Sequence, residues 1–515
     1  ADARVICGFG LGAAIVALFS RVGGGIFRHG LTIEPASLGA DQHDSASNEP
    51  HKQAALMIGA IGNNVSGIAG LGAELFVSYS GAIIAAIVIA ASMPASNLLG
   101  PRGSLMFVPL ALTCAGLVCS IVGIMLTRSF TDKSPQAALR AGTISATLAF
   151  IVLSLFLMFA AQAATGLWWV VVSGVIGGVV IALTTGYFTA GAPMISIARA
   201  AQKGAATAMI SGFVIGMRST VVPVLTICAV TAVASEVAGL YGVAIAAVGM
   251  LATLGMTMAV SAYSPIATNA CSIAKMTQLD AETQKITNSL GELGHSTAAI
   301  GQGFATGAAA LAALAIIFAF VQTVTLHLPG FNLNLSNAQV LVGLLIGAVL
   351  PFFIAALAMN SATDAASQMI EELRHQLREI PGRAAGTAQI DTTRCVGIAA
   401  DASITKMALP SVIAVLAPLV VGFGISPEAL GGMLGGALLS GIVLALTMGN
   451  AGNAWSNAKK YVEQGNLGGT DSAAHAALSV GAAVGSPFKA TAAPTMNILI
   501  ILMAIVSLLI APSMS

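Results

Sequence analysis

Charge is what this 515-residue sequence has least of: Asp, Glu, Lys and Arg together make up 8% of it. Soluble domains carry about 25%. So few charges cannot cover a water-soluble globule when 57% of the residues are hydrophobic. Nor is either sign in excess. The formal net charge is +1, which excludes a general electrostatic grip on nucleic acid. The six cysteines (Cys7, Cys114, Cys119, Cys228, Cys271 and Cys395) are scattered, mostly within apolar runs. No pair has metal-ligand spacing with a histidine nearby, so they read as small buried hydrophobes. Ala1 is not Met and carries no signal peptide or cleavage signature, as expected of a processed or truncated chain.

What fills the sequence is long apolar runs, with a mean hydropathy of +0.90 and 57 glycines. About twelve runs are long enough to cross ~30 Å of hydrocarbon. They begin near Val5, Ala54, Ser104, Gln136, Leu167, Ala201, Tyr241, Glu282, Ala338, Asp391, Pro427 and Ser472. The expected fold is an all-α polytopic membrane protein whose partner is the lipid bilayer. Small residues let such helices pack closely. The runs 282–326 and 338–378 exceed one crossing and are expected to project beyond the bilayer on one side. Positive charge concentrates in alternate connections, at Arg28 and Lys52, Arg128 and Lys133, Arg199 and Lys203, Lys275 and Lys285, Arg374 to Arg394, and Lys459 with Lys460. The positive-inside rule places these in the cytoplasm, including the loops 28–53 and 373–390, and puts both ends of this chain on the opposite side.

Several segments carry a more specific signal. They are Arg21-Val22-Gly23-Gly24-Gly25-Ile26-Phe27, Gly72-Ala73-Glu74-Leu75-Phe76-Val77-Ser78-Tyr79, Thr297-Ala298-Ala299-Ile300-Gly301-Gln302-Gly303-Phe304-Ala305, Asn450-Ala451-Gly452-Asn453-Ala454-Trp455-Ser456-Asn457-Ala458-Lys459-Lys460-Tyr461, and Gly481 to Pro494. Together they closely resemble the membrane-integral inorganic pyrophosphatases, the pyrophosphate-driven proton and sodium pumps. The resemblance covers nearly the whole chain. It implies one membrane domain over 1–515, built like the family's core and matching the last twelve of its about sixteen helices. The first four have no counterpart in this chain.

The departures fall on acids. Where the family has catalytic carboxylates, this sequence has Thr32, Ala36, Gly59, Asn63, Gly67, Thr268, Ser456, Ala482, Ser486 and Ala490. Ala40 and Gln42 replace a further Lys and Glu. The resemblance implies a site of several Mg²⁺ ions, which carboxylate oxygens and water hold best. Neutral side chains are poor substitutes. The expectation is therefore a lost magnesium site with no metal or cofactor, and a catalytically inactive pseudoenzyme: a structural or regulatory membrane subunit, homodimeric as the family is, or part of a larger membrane complex. The alternative is a repurposed ion or anion channel or carrier, and an active pyrophosphate-energised pump ranks third.

Two constellations remain. Lys459, Lys460 and Lys489 fall where the family grips phosphates and offer an anion site; the competing reading is lysines that snorkel at the cytoplasmic end. The resemblance also makes Arg21, Glu74, Ser78 and Gln302 remnants of an ion gate, with Val77 and Ile501 replacing a carrier Glu and a Lys. Glu74 reads either as a proton or cation site or as a strut paired with Arg21. His29, Glu34, Asp41, His43, Asp44, Glu49 and His51 crowd one loop without a compact ligand motif and read as solvated. His295 reads as a hydrogen-bonded helix residue, with a pH-sensing role as its alternative. Arg218, in the middle of an apolar run, requires an internal partner.

Overall fold

Runs this apolar satisfy their backbone polar groups internally, so they form helices wherever they meet lipid. In the computed structural model, which describes residues 5–31, 50–130, 134–379 and 391–514, every extended element is helical. We number the long helices α1 (Ile6–Leu31), α2 (Met57–Ser92), α3 (Arg102–Arg128), α4 (Pro135–Ala160), α5 (Gly166–Ala201), α6 (Ala205–Leu251), α7 (Leu254–Met276), α8 (Ala281–His327), α9 (Ala338–Glu379), α10 (Thr392–Gly424), α11 (Pro427–Glu463) and α12 (Ala473–Ser513). Among the described residues, eleven helices are long and apolar enough to cross a membrane. The sequence expectation of about twelve counts a separate run from Tyr241. The structure bears that run out: Ala238 and Gly239 leave helical geometry, Gly239 at φ +57°, so the range given for α6 holds two helices separated by a break.

Helix starts follow capping chemistry. Ser134, Asp280, Asp391, Ser426 and Ser472 each accept a hydrogen bond from the backbone N–H three residues on, and Pro135 and Pro427 open their helices.

The helices sort into an enclosed set and a flanking set. The most apolar windows of α2, α8 and α12 are 78%, 83% and 89% buried, against 22% for α4 and 28% for α6. The α9–α11 seam shows how closely small residues let backbones approach. A Cβ added at Gly343 would lie 1.8 Å from the Ala429 carbonyl oxygen, and one at Gly347 would lie 2.0 Å from that of Met433. The enclosed helices α1, α2, α7, α8, α11 and α12 pack on one another and bring their polar residues to a common place.

Candidate functional site

Three of these helices are locally underwound into π turns: Leu18–Gly23 in α1, Val65–Gly70 in α2 and Phe488–Ala492 in α12. Such turns shift side chains out of helical register and occur often at functional sites. Here all three meet. Gly25, just after the first, lies so close to the third that an added Cβ would sit 2.4 Å from the Ala490 carbonyl oxygen. Gly70, ending the second, faces the Ser20 carbonyl and the Arg21 side chain.

Around this junction lies a polar cavity of about 80 Å³. Its cations are Arg21, Arg28 and Lys489, and its neutral donors and acceptors include Asn63, Thr268, His295, Asn453, Ser456 and Asn457. Lys489 Nζ donates to Ser456 Oγ at 2.5 Å. Gln302 Nε2 donates to the Lys489 carbonyl at 2.7 Å, while Asn453 Nδ2 donates to Gln302 Oε1 at 3.0 Å. A chain of side chains thus locks α8, α11 and α12 together beneath the lysine. Ser261, also lining the cavity, is buried with no hydrogen-bond partner for its hydroxyl.

Arg21 belongs to the cavity and to a second, fully buried cluster. Its Nε donates to Glu74 Oε2 at 2.6 Å, and its Nη1 donates to the Ser66 carbonyl at 2.9 Å. The other Glu74 oxygen accepts from Asn497 Nδ2 at 2.6 Å, and Asn497 also donates to Thr306 Oγ1 at 3.0 Å. Ser78 donates to the Glu74 backbone carbonyl at 2.9 Å. Glu74 is 0% exposed, so every contact it has is protein. A buried carboxylate survives only with such partners. Val77 and Ile501 are buried among apolar neighbours.

Of the sequence candidates, Asn63, Gly67, Thr268, Ser456, Lys489, Gln302 and Arg21 line the cavity. Ser486 sits apart from the lining, its Oγ 3.1 Å from His29 Nδ1. Ala490 is buried in the π turn of α12, while Ala482 and Gly59 lie on α12 and α2 outside the lining. Lys459 and Lys460 are half-buried on α11 and are not cavity-lining either. Thr32 and Ala36 lie outside the described residues, as do most of the loops 28–53 and 373–390 and the acids Glu34, Asp41, Asp44 and Glu49. Sequence reasoning missed Arg28 and Asn497 as site residues. Asn497 was detectable as the lone amide in the apolar stretch Ala493–Ile510.

Among the described residues no carboxylate lines the cavity, and no group of three His, Cys, Asp or Glu side chains could hold a metal. Amides, hydroxyls and three cations do not by themselves fit a cluster of hard divalent ions. What they fit is an anion rich in oxygens, because guanidinium and ammonium groups donate charge-assisted hydrogen bonds to phosphate.

A basic cavity joined through one arginine to a buried carboxylate thus lies inside a bundle of membrane-length helices, the architecture of an integral multi-pass membrane protein. The profile of the inorganic H⁺ pyrophosphatases matches residues 2–510, and the chain belongs to that family. It is 42% identical to a putative K⁺-stimulated pyrophosphate-energized sodium pump of Clostridium tetani, over 98% of this chain and 75% of the relative. It is 38% identical to a K⁺-insensitive pyrophosphate-energized proton pump of Methanosarcina mazei, over 99% of this chain and 76% of the relative. A K⁺-stimulated pyrophosphate-energized sodium pump of Thermotoga maritima is 35% identical over 98% and 75%.

These relatives overturn the expectation of a catalytically inactive subunit, and with it the expectations of no enzymatic activity and no cofactor. Proteins alike over almost this entire chain are named as pyrophosphate-energized pumps, two of them with K⁺ stimulation in the name. The physical reason for the error is one of counting. The expectation tallied carboxylates replaced at matched positions, whereas a ligand set is the sum of every donor that reaches the site. The stretch 32–49, with its four acids, lies outside the described residues.

Proposed function

We propose that the chain is a pyrophosphate-energised ion pump. The cavity bounded by Arg28, Lys489 and Arg21 takes the diphosphate anion, and the Glu74 cluster handles the translocated cation. The observation that carries this reading is the double engagement of Arg21, which lines the cavity and donates to Glu74 at 2.6 Å. An anion arriving in the cavity competes for the guanidinium. Weakening its hold on Glu74 raises the affinity of that carboxylate for a cation, and departure of the anion reverses the change. Family membership and the pump names of the relatives support the same reading.

The positive-inside pattern supports a cytoplasmic opening for the cavity, with both ends of this chain on the far side. Arg218 supports a second copy of the chain as neighbour. It is exposed on α6, and the internal partner expected from sequence is not found among the described residues. It lies about 20 Å along the helix from Ala205 and about 27 Å from Glu236 at 1.5 Å per residue, too deep to snorkel to either surface. A second copy that buries this face would remove the guanidinium from lipid.

The test is phosphate release from pyrophosphate by the purified protein in proteoliposomes, with magnesium and potassium supplied. Release that Lys489→Ala reduces at least tenfold supports the reading. Absence of release by the unsubstituted protein under all such conditions contradicts it.

A further inference from the structure

His295 lines the polar cavity from α8. The hydrogen-bonded helix residue expected from sequence is not what the structure holds: neither ring nitrogen bonds to any described residue. Its surroundings are firmly placed. Gln302, two turns further along α8, is held between Asn453 and the Lys489 carbonyl. Gly294, next to His295, packs so closely on α7 that an added Cβ would sit 3.0 Å from the Ser264 Cα. The backbone carrying the imidazole is therefore fixed, while both ring nitrogens remain available to a molecule in the cavity.

The charges around the ring favour an anion as that molecule. Arg21 and Arg28 from α1 and Lys489 from α12 share its lining, and no carboxylate does among the described residues. His29 of α1 turns instead to Ser486, 3.1 Å away. The one charge on α2, Glu74, is engaged with Arg21. Farther out along their helices lie Lys275 and Cys271 on α7, exposed Glu292 on α8, and Lys459 and Lys460 on α11. Tyr263 of α7 donates to the Leu290 carbonyl at 3.3 Å. The other neighbours of α8, α5 and α6, carry Arg199, Arg218 and Glu236, all exposed. Imidazole is the side chain that ordinarily changes charge near neutrality, and a polyanion beside it favours the charged form. By reciprocity the charged ring then favours the polyanion.

We infer that His295 is a fourth cationic ligand of the anion, an imidazolium that takes up its proton as diphosphate binds. The inference rests on the reading of this cavity as the anion site. Its contribution is full in acid and is lost as pH rises through the titration of the bound ring.

The test is calorimetric titration of the purified full chain with imidodiphosphate, whose P–N–P bridge resists hydrolysis, with magnesium and potassium supplied. Comparison with His295→Asn cancels the ligand's own titration. The unsubstituted protein should bind at least about fivefold more tightly than His295→Asn at about pH 6 and equally at about pH 8.5. In buffers of different ionisation enthalpy it should take up at least about half a proton more near neutrality. His295→Lys, with a fixed charge, should keep its advantage over His295→Asn at both pH values. Binding whose ratio to His295→Asn is the same at both pH values, with no difference in proton uptake, would overturn this inference alone. No binding by the unsubstituted protein at either pH would overturn the anion-site reading and this inference with it.

Discussion

Arg21 and Glu74 are each nearly or wholly shielded from solvent, at 5% and 0% exposure, which makes their pairing asymmetric in its consequences. Removing one partner leaves the other charge buried and unpaired, at roughly 3–5 kcal/mol. Glu74→Leu alone should therefore lower the thermal unfolding midpoint sharply. Arg21→Met combined with Glu74→Leu should recover most of that loss, because a buried ion pair replaced by apolar groups is often neutral. The double variant should still transport nothing, which separates the strut role from the gate role in one comparison of unfolding and ion uptake. Lys489 is different in kind, since its Nζ has Ser456 Oγ as its hydrogen-bond partner and is free to turn to an anion. A charge-assisted hydrogen bond contributes about 1.5–3 kcal/mol, so Lys489→Ala should weaken pyrophosphate binding by roughly 10–100-fold. Titration of the purified protein with pyrophosphate checks this. An unchanged affinity would remove Lys489 from the site.

Elements carry two further expectations. The α9–α11 seam leaves no room for a side chain at Gly343, where the Ala429 carbonyl would meet a Cβ at 1.8 Å. Gly343→Leu should force the helices apart and cost at least about 1–3 kcal/mol, the range for overpacking. The unfolding midpoint should fall while Gly435→Ala, at a position with open space around it, leaves it unchanged. At the start of α8, Asp280 accepts from the Thr283 N–H at 2.9 Å and the Thr283 hydroxyl at 2.7 Å. The backbone bond first, then the hydroxyl, holds its carboxyl below the usual carboxylate range. A depressed folded-state pKa means that this cap is fully present above the ordinary Asp value and is lost as pH falls through the lower folded value. Hydrogen exchange at the first amides of α8 should accelerate in acid relative to neighbouring helices, and Asp280→Asn should abolish that acid dependence. The π turns also belong to this scale. Nothing in the run Leu18–Gly23 distinguishes it from ordinary helix by periodicity, because a one-residue insertion in the hydrogen-bond ladder leaves the apolar pattern nearly intact.

For the molecule as a whole, the fold was largely legible because lipid allows so few answers. Apolar length sets helices, and the starts inferred near Ser104, Gln136, Ala338 and Pro427 lie within two residues of the observed ones. The run inferred from Tyr241 was legible too, because Ala238 and Gly239 leave helical geometry just before it. The site was legible in part. Arg21, Asn63, Thr268, Ser456 and Lys489 converge from five helices, which spacing alone cannot reveal. Arg28 escaped notice because a cation near a helix end reads as topology, and Asn497 because an amide is not a titratable group. The functional reading failed where it equated replaced acids with absent activity. At this scale the proposed second copy on α6 is tested by Arg218→Leu, which should lower the dimer fraction in native mass measurement; an unchanged fraction would free α6 from that proposal. The most direct test of the central claim is ion uptake into proteoliposomes on addition of pyrophosphate, followed with proton- and sodium-sensitive dyes. Uptake that requires pyrophosphate, falls at least tenfold in Lys489→Ala and vanishes in Glu74→Gln is the predicted result. Pyrophosphate that drives no movement of either ion in well-folded, sealed vesicles would contradict it.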